Sequence, residues 1–179
     1  MTTVYLAMLC GVIAVVYGLV TSRQVLGLSP GNARMQDIAS AIQEGARAYL
    51  ARQYSAIAIV GVIVVVLVAL FLGLTEAVGF VIGAILSGVT GFIGMNISVK
   101  ANVRTAEAAR GSLQGGLTAA FRAGAVTGML VAGLGLLAIA VFYWYLTEIA
   151  GLAPTSRTIV NALVALSFGA SLISIFARL

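Results

Sequence analysis

Four polar residues near the carboxyl end of the chain have a spacing that would place them on one side of a helix. They are Ser167, Ser171, Ser174 and Arg178, and positions three or four apart share a helix face. A serine stripe in an apolar helix supports interhelical hydrogen bonds or close packing. Arg178 continues the stripe, which makes it a candidate for an ion path or an anionic ligand. Snorkelling of Arg178 to the lipid headgroups is the alternative, and the spacing leaves both interpretations open.

The remaining residues offer little that could carry out catalysis. The sequence has no histidine, its five acidic residues are scattered through loops and helix ends, and it lacks a P-loop and any metal-ligand spacing. Cys10 is the single cysteine, so no intrachain disulfide and no cysteine-based metal site are expected. We therefore predict no catalytic residue and no metal ligand in this chain. The residues alone do not specify a reaction.

The composition is that of a membrane protein. Of 179 residues, 61% are hydrophobic and 8% charged, whereas soluble domains have about 25% charged residues. Five charge-free intervals are each long enough to cross a hydrocarbon core about 30 Å thick, which takes about 20 helical residues. We predict an all-α, polytopic transmembrane helix bundle with spans at about residues 3–22, 54–74, 77–99, 121–147 and 158–178. The first is expected to be a retained helix, since a cleaved signal peptide would begin with basic residues and end in an A-x-A site.

The distribution of Lys and Arg predicts the orientation. Eight lie in the two long connections between spans one and two and between spans three and four: Arg23, Arg34, Arg47, Arg52, Lys100, Arg104, Arg110 and Arg122. Only Arg157 lies in the short connections on the other side. Because basic flanks are retained in the cytoplasm, the N-terminus is predicted outside. The net charge of +5 reflects this bias, so we expect no nucleic-acid binding.

Both long connections are predicted to contain helix. From about residue 32 to 52, apolar side chains recur on one face of an amphipathic helix: Met35, Ile38, Ile42, Ala46 and Tyr49. This helix either lies on the headgroups or extends span two and packs on neighbouring helices, which we favour. In the second connection, a glycine break is expected at Gly115–Gly116. Arg104, Glu107 and Arg110 have the i,i+3 spacing of a solvated, ion-paired face.

Small residues recur at four-residue intervals in spans three and four. They are Gly79, Gly83, Ser87, Gly91, Gly124 and Gly128. Such faces let helix backbones approach closely in a membrane, where lipid supplies no hydrophobic drive for association. The pattern predicts tight helix packing and is common in polytopic proteins generally.

Four ordered blocks of sequence resemble one known family. They are NARMQDIASAIQEGARAYLARQY, GFIGMNISVKANVRTAEAA, FRAGAVTGMLVA and SFGASLISIFARL, and together they extend over nearly the whole chain from Tyr5 onward. In order and spacing they are similar to the N-terminal part of membrane-bound proton-pumping inorganic pyrophosphatases. The residues within the blocks most resemble those of the potassium-insensitive bacterial type.

The resemblance implies a single bundle of roughly sixteen spans, of which this chain is the amino-terminal fragment. It further implies a homodimer in the bacterial cell inner membrane that hydrolyses inorganic diphosphate with Mg²⁺ on the cytoplasmic side and drives protons outward. In the family, the residues that bind Mg²⁺ and diphosphate follow the position of Leu179, so the fragment alone is expected to be inactive. Arg178 matches a family residue near the coupling region between the hydrolytic pocket and the ion channel. The alternative is a non-enzymatic secondary transporter or membrane scaffold with glycine-rich helices.

Overall fold

The computed structural model describes residues 2–176, and this part of the chain is almost entirely helical. Its helices are α1 (Thr2–Leu26), α2 (Ala33–Phe71), α3 (Leu74–Gly111), α4 (Leu113–Trp144) and α5 (Arg157–Phe176). A π-helical turn, Tyr145–Ile149, continues α4. All five helices are long and apolar enough to cross a membrane, which confirms the predicted helix bundle. Arg178 lies outside the described residues.

The two longest helices extend beyond the predicted spans. α2 has 39 residues and α3 has 38, so at 1.5 Å per residue each is about 57 Å long. Because the hydrocarbon core is about 30 Å thick, roughly half of each helix projects from it. The projecting parts lie at the end of the bundle that carries the basic connections, called here the basic end (residues 27–52 and 100–122).

The amphipathic segment and the second span form one continuous helix, α2, which Asn32 caps by accepting a hydrogen bond from the Met35 amide at 3.0 Å. The face that packs on α3 is rotated from the predicted one. Ala39 and Leu50 are buried, whereas Ile38 and Ile42 are 51% and 48% exposed. The expected extension of span two is present, but within the described residues no other helix buries Ile38 and Ile42. The side of α2 that faces α3 here carries Gln43, Ala46 and Leu50.

α3 lies at the centre of the bundle and packs against α2, α4 and α5, while α1 packs mainly on α4. The α2–α3 turn is very short, because Gly73 adopts φ +126°, a region that glycine alone enters readily. Glu76 follows in the first turn of α3 and is buried. Its carboxylate is favourably placed at the positive end of the helix dipole.

The break between α3 and α4 lies at Ser112 and not at Gly115–Gly116 as expected. Ser112 is extended, with φ −166° and ψ 150°, and its hydroxyl accepts a hydrogen bond from the Gly115 amide at 3.0 Å. A serine N-cap satisfies a helix-end amide that glycine cannot. The glycines have a different role: a Cβ on Gly116 would lie 2.7 Å from the Cβ of Ala109. They allow the two helices to turn sharply against each other.

Candidate functional site

The polar face of α5 is only partly directed into the bundle of described residues. Ser167 and Ser171 are exposed, and Ser174 is half-buried. The Ser167 hydroxyl donates to the Leu163 carbonyl at 3.0 Å, one turn earlier in the same helix. The side of α5 that packs on α3 carries Ala162, Leu166 and Gly169. The serine stripe thus flanks the α3–α5 interface, and a functional role for it stays a prediction.

A cavity of about 430 Å³ lies where α3, α4 and α5 meet. Four hydroxyl-bearing residues from these three helices line it: Ser87, Thr90, Thr127 and Ser174. The Ser87 hydroxyl donates to the Ala170 carbonyl at 2.9 Å, and that of Thr90 to the Leu86 carbonyl at 2.7 Å. With their protons engaged, these oxygens can only accept from water or another donor in the cavity. The cavity lining contains no ionisable side chain, so it can hold water but supplies no acid or base.

Sequence reasoning missed Thr90 and Thr127 as members of this hydroxyl cluster. Threonine on an apolar helix is too common to single out by itself. The fold shows the partner of Thr127: a Cβ on Gly94 of α3 would lie 2.9 Å from the Thr127 side chain.

The small residues of α3 face α5 at very short range. A Cβ on Gly79 would lie 2.5 Å from the Ala162 carbonyl oxygen, and one on Gly83 would overlap the Leu166 carbonyl. On the other side of the crossing, a Cβ on Gly169 would overlap the Phe80 carbonyl. Gly91 differs, since its nearest neighbour is the Tyr54 hydroxyl of α2 at 3.2 Å.

The small residues of α4 divide into two groups. Gly124 and Gly128 have no heavy atom of the described chain within 4 Å of an added Cβ, so this part of the molecule does not bring them against a helix. Gly133, which the four-residue pattern did not include, contacts α1: its added Cβ would lie 2.9 Å from the Gly11 carbonyl oxygen. Gly11 in turn faces Leu137 and Gly133. The α1–α4 crossing therefore depends on glycines from both helices.

At the basic end, Arg110 and Glu107 form the expected ion pair at 2.9 Å, but Arg104 does not join it. Its Nε donates to the Leu26 carbonyl at 3.1 Å, and its Nη1 donates to the Lys100 carbonyl at 2.7 Å. Leu26 is the last residue of α1. Arg104 thus holds the carboxyl end of α1 against α3, where a cation also favours the helix dipole. The expectation of a solvated Arg104 is wrong, because its side chain is half-buried.

Within residues 2–176, no three His, Cys, Asp or Glu side chains come together in a group that could hold a metal ion. The described residues therefore do not fit a Mg²⁺ site, and no reaction step is assigned to them.

Three curated relatives from different organisms align with 69–98% of this chain. A protein from Methanosarcina mazei named K(+)-insensitive pyrophosphate-energized proton pump is 44% identical over 177 residues, which is 98% of this chain and 25% of that protein. A Moorella thermoacetica protein named K(+)-insensitive pyrophosphate-energized proton pump 2 is 43% identical over 171 residues, 94% of this chain and 24% of that protein. A Clostridium tetani protein, provisionally named a K(+)-stimulated pyrophosphate-energized sodium pump, is 46% identical over 123 residues, 69% of this chain and 18% of that protein.

The chain thus spans about a quarter of the length of the curated relatives that it matches across nearly its whole length. A family profile described as inorganic H+ pyrophosphatase matches residues 12–179. Because that match extends from the first span to the end of the chain, and the Methanosarcina relative is aligned over 98% of it, the chain belongs to the inorganic H+ pyrophosphatase family.

Proposed function

We propose that this chain is the amino-terminal part of a pump that hydrolyses inorganic diphosphate at the basic end and moves protons to the opposite side. The observation that carries the proposal is the full-length similarity to two proteins named as pyrophosphate-energized proton pumps, at 44% and 43% identity. Five long apolar helices are consistent with the membrane part of such a pump. The orientation, with the N-terminus outside, rests on the distribution of basic residues.

Several finer features rest on the family resemblance. They are Mg²⁺ as cofactor, a homodimer, and location in a bacterial cell inner membrane. Mg²⁺ at the diphosphate would polarise the phosphoryl oxygens and activate the attacking water. The described residues do not form its site, so its ligands are assigned to parts of the protein outside them. The 179-residue chain alone is accordingly expected to lack hydrolytic activity.

For Arg178 we propose a role in coupling hydrolysis to proton transfer. It continues the stripe of Ser167, Ser171 and Ser174, and it matches a family residue near the coupling region. A guanidinium there can pair with a carboxylate of a later helix and favour its charged form.

The test uses the full-length protein in inverted membrane vesicles. Addition of diphosphate and Mg²⁺ is expected to release phosphate and acidify the vesicle interior, and a protonophore should abolish only the acidification. Uptake of ²²Na⁺ is measured in parallel, because one relative is named as a sodium pump. Diphosphate-driven sodium uptake without acidification would reassign the ion. Absence of any diphosphate hydrolysis would reject the pump and leave a transporter or scaffold.

A further inference from the structure

The groove between α2 and α3 changes character along its length. In the membrane-spanning part it is an open, apolar groove of about 530 Å³, lined by Tyr54, by Gly61 and otherwise largely by aliphatic side chains of both helices. Toward the basic end, the same two helices form a shallow crevice lined by Arg47, Lys100 and the amides Gln43 and Asn96. An apolar groove thus leads to a cationic mouth.

The two parts follow one continuous face of each helix. Arg47, Leu50 and Tyr54 on α2 are three and four residues apart, which is the spacing of one helix face. Tyr54 lies at the junction, where its hydroxyl donates to the Gly88 carbonyl at 2.6 Å and its ring meets that of Phe92 edge-on at 6.0 Å. This side chain links α2 to α3 at the end of the apolar groove nearest the basic end. The rest of the apolar groove, farther from the basic end, is open.

Arg47 and Lys100, the cations at the mouth, form no ion pair within residues 2–176. The ion pair of the described residues, Arg110–Glu107, lies outside this crevice, and the crevice lining includes no acidic residue. Glu44, one turn before Arg47, is exposed and makes no ion pair with it within residues 2–176. Two cations without an ion-pair partner in the described residues, beside the Gln43 amide, are suited to a phosphate group. The Asn96 amide already donates one N–H to the Phe92 carbonyl at 2.8 Å and has its second N–H for a ligand.

The depth of these residues matches that of a phospholipid. The charge-free part of α2 begins at Gln53, so the Cα of Arg47 lies about 9 Å beyond it at 1.5 Å per residue. Lys100 directly follows the charge-free interval of α3. Both side chains can therefore reach the headgroup layer, which adds roughly 5–8 Å to each side of the hydrocarbon core.

The length of the apolar groove argues for a lipid chain and against another helix. From Tyr54 to Val66, the groove residues on α2 extend about 18 Å along the helix axis. This is close to one leaflet, or half of a core about 30 Å thick. A further transmembrane helix would need a groove across the whole core. We infer that the α2–α3 groove binds one anionic phospholipid, with its phosphate at Arg47 and Lys100 and an acyl chain in the apolar part.

The test measures lipid bound to the full-length protein. The protein is purified in mild detergent, and native mass spectrometry with phosphatidylglycerol and phosphatidylcholine is used to count bound molecules. Arg47→Gln with Lys100→Gln should lower the bound phosphatidylglycerol at least threefold. The matched control, Arg34→Gln with Arg52→Gln, removes two exposed cations of α2 that do not line the groove and should retain wild-type binding. Free inorganic phosphate at millimolar concentration should not displace the lipid.

A second variant tests the acyl-chain part without touching the cations. Gly61 lines the groove and has no heavy atom within 4 Å of an added Cβ, so a side chain can start there without a clash, and Gly61→Leu adds bulk to the groove lining. It should lower phosphatidylglycerol binding, whereas Ile63→Phe, an exposed position outside the groove lining, should not.

A photoreactive side chain at Val62 identifies the occupant directly. A lipid adduct is expected. A cross-link to a later segment of the same protein, or phosphatidylglycerol binding unchanged by both the cation and the Gly61 variants, would overturn the inference. None of these readouts requires diphosphate hydrolysis, so the inference can fail or hold independently of the proposed function.

Discussion

Arg178 is the residue whose proposed role can be separated most clearly from a structural one. If the proposed function holds, Arg178→Ala in the full-length protein should leave it inserted and folded but lower diphosphate-driven acidification at least tenfold, with hydrolysis lost or uncoupled. Arg178→Lys should restore activity only in part, because a point charge does not reproduce the planar fork of the guanidinium. A headgroup anchor predicts full restoration by lysine, since either cation can snorkel. Wild-type pumping by Arg178→Ala would exclude the coupling role.

Arg104 has a structural role that the sequence pattern did not indicate. Its donation to the Leu26 carbonyl joins α1 to α3, and hydrogen bonds from charged groups contribute about 1.5–3 kcal/mol. Arg104→Ala should therefore lower the thermal unfolding midpoint of the full-length protein and speed hydrogen exchange in residues 23–28. Arg34→Ala, at an exposed position, is the control. Equal effects of the two substitutions would show that the contact with α1 contributes no stability.

At the scale of the elements, the α3–α5 crossing determines how closely the centre of the bundle packs. Gly83→Leu would place a branched side chain where even a Cβ overlaps the Leu166 carbonyl. The two helices must then separate, which also strains the Ser87–Ala170 hydrogen bond, and overpacking costs about 1–3 kcal/mol or more. We expect a clear fall in folded yield and in the thermal midpoint.

The matched control for that crossing is Val164→Leu, which adds bulk on the exposed side of α5. Val164→Leu should lower the thermal midpoint much less than Gly83→Leu does. If the two variants unfold at the same temperature, close contact at Gly83 is not what stabilises the crossing.

At the scale of the whole molecule, the predicted orientation rests on eight basic residues on one side against one on the other, with Arg178 set aside. After Cys10→Ala, single cysteines are introduced at Gln114, near the start of α4, and at Thr155, in the α4–α5 connection; both positions are exposed. A membrane-impermeant maleimide should label the cysteine at 155 in intact cells and the one at 114 only in inverted vesicles. The opposite result would reverse the predicted orientation.

The helix bundle could be predicted from the sequence because its cause is local. A helix satisfies its backbone hydrogen bonds within the segment, so an apolar, charge-free interval of about 20 residues predicts a span wherever it occurs. The same holds for Asn32, whose side chain caps the helix it begins. The break at Ser112 was missed because glycine and serine both favour helix ends. In the fold, Gly116 of α4 lies against Ala109 of α3, a contact that the local sequence does not reveal.

The site residues depended on information that only the fold contains. Glycines at four-residue intervals predict a packing face but not its partner: Gly79 and Gly83 meet α5, whereas Gly124 and Gly128 meet no described residue. Likewise, the i,i+3 spacing of Arg104 fits an ion pair on its own helix, yet the side chain binds a carbonyl 78 residues earlier in the chain. By itself, the sequence determined that the chain contains five membrane-spanning helices and to which family it belongs. The tertiary structure decided which faces meet, because contacts between helices depend on their rotation and crossing, which no single helix encodes.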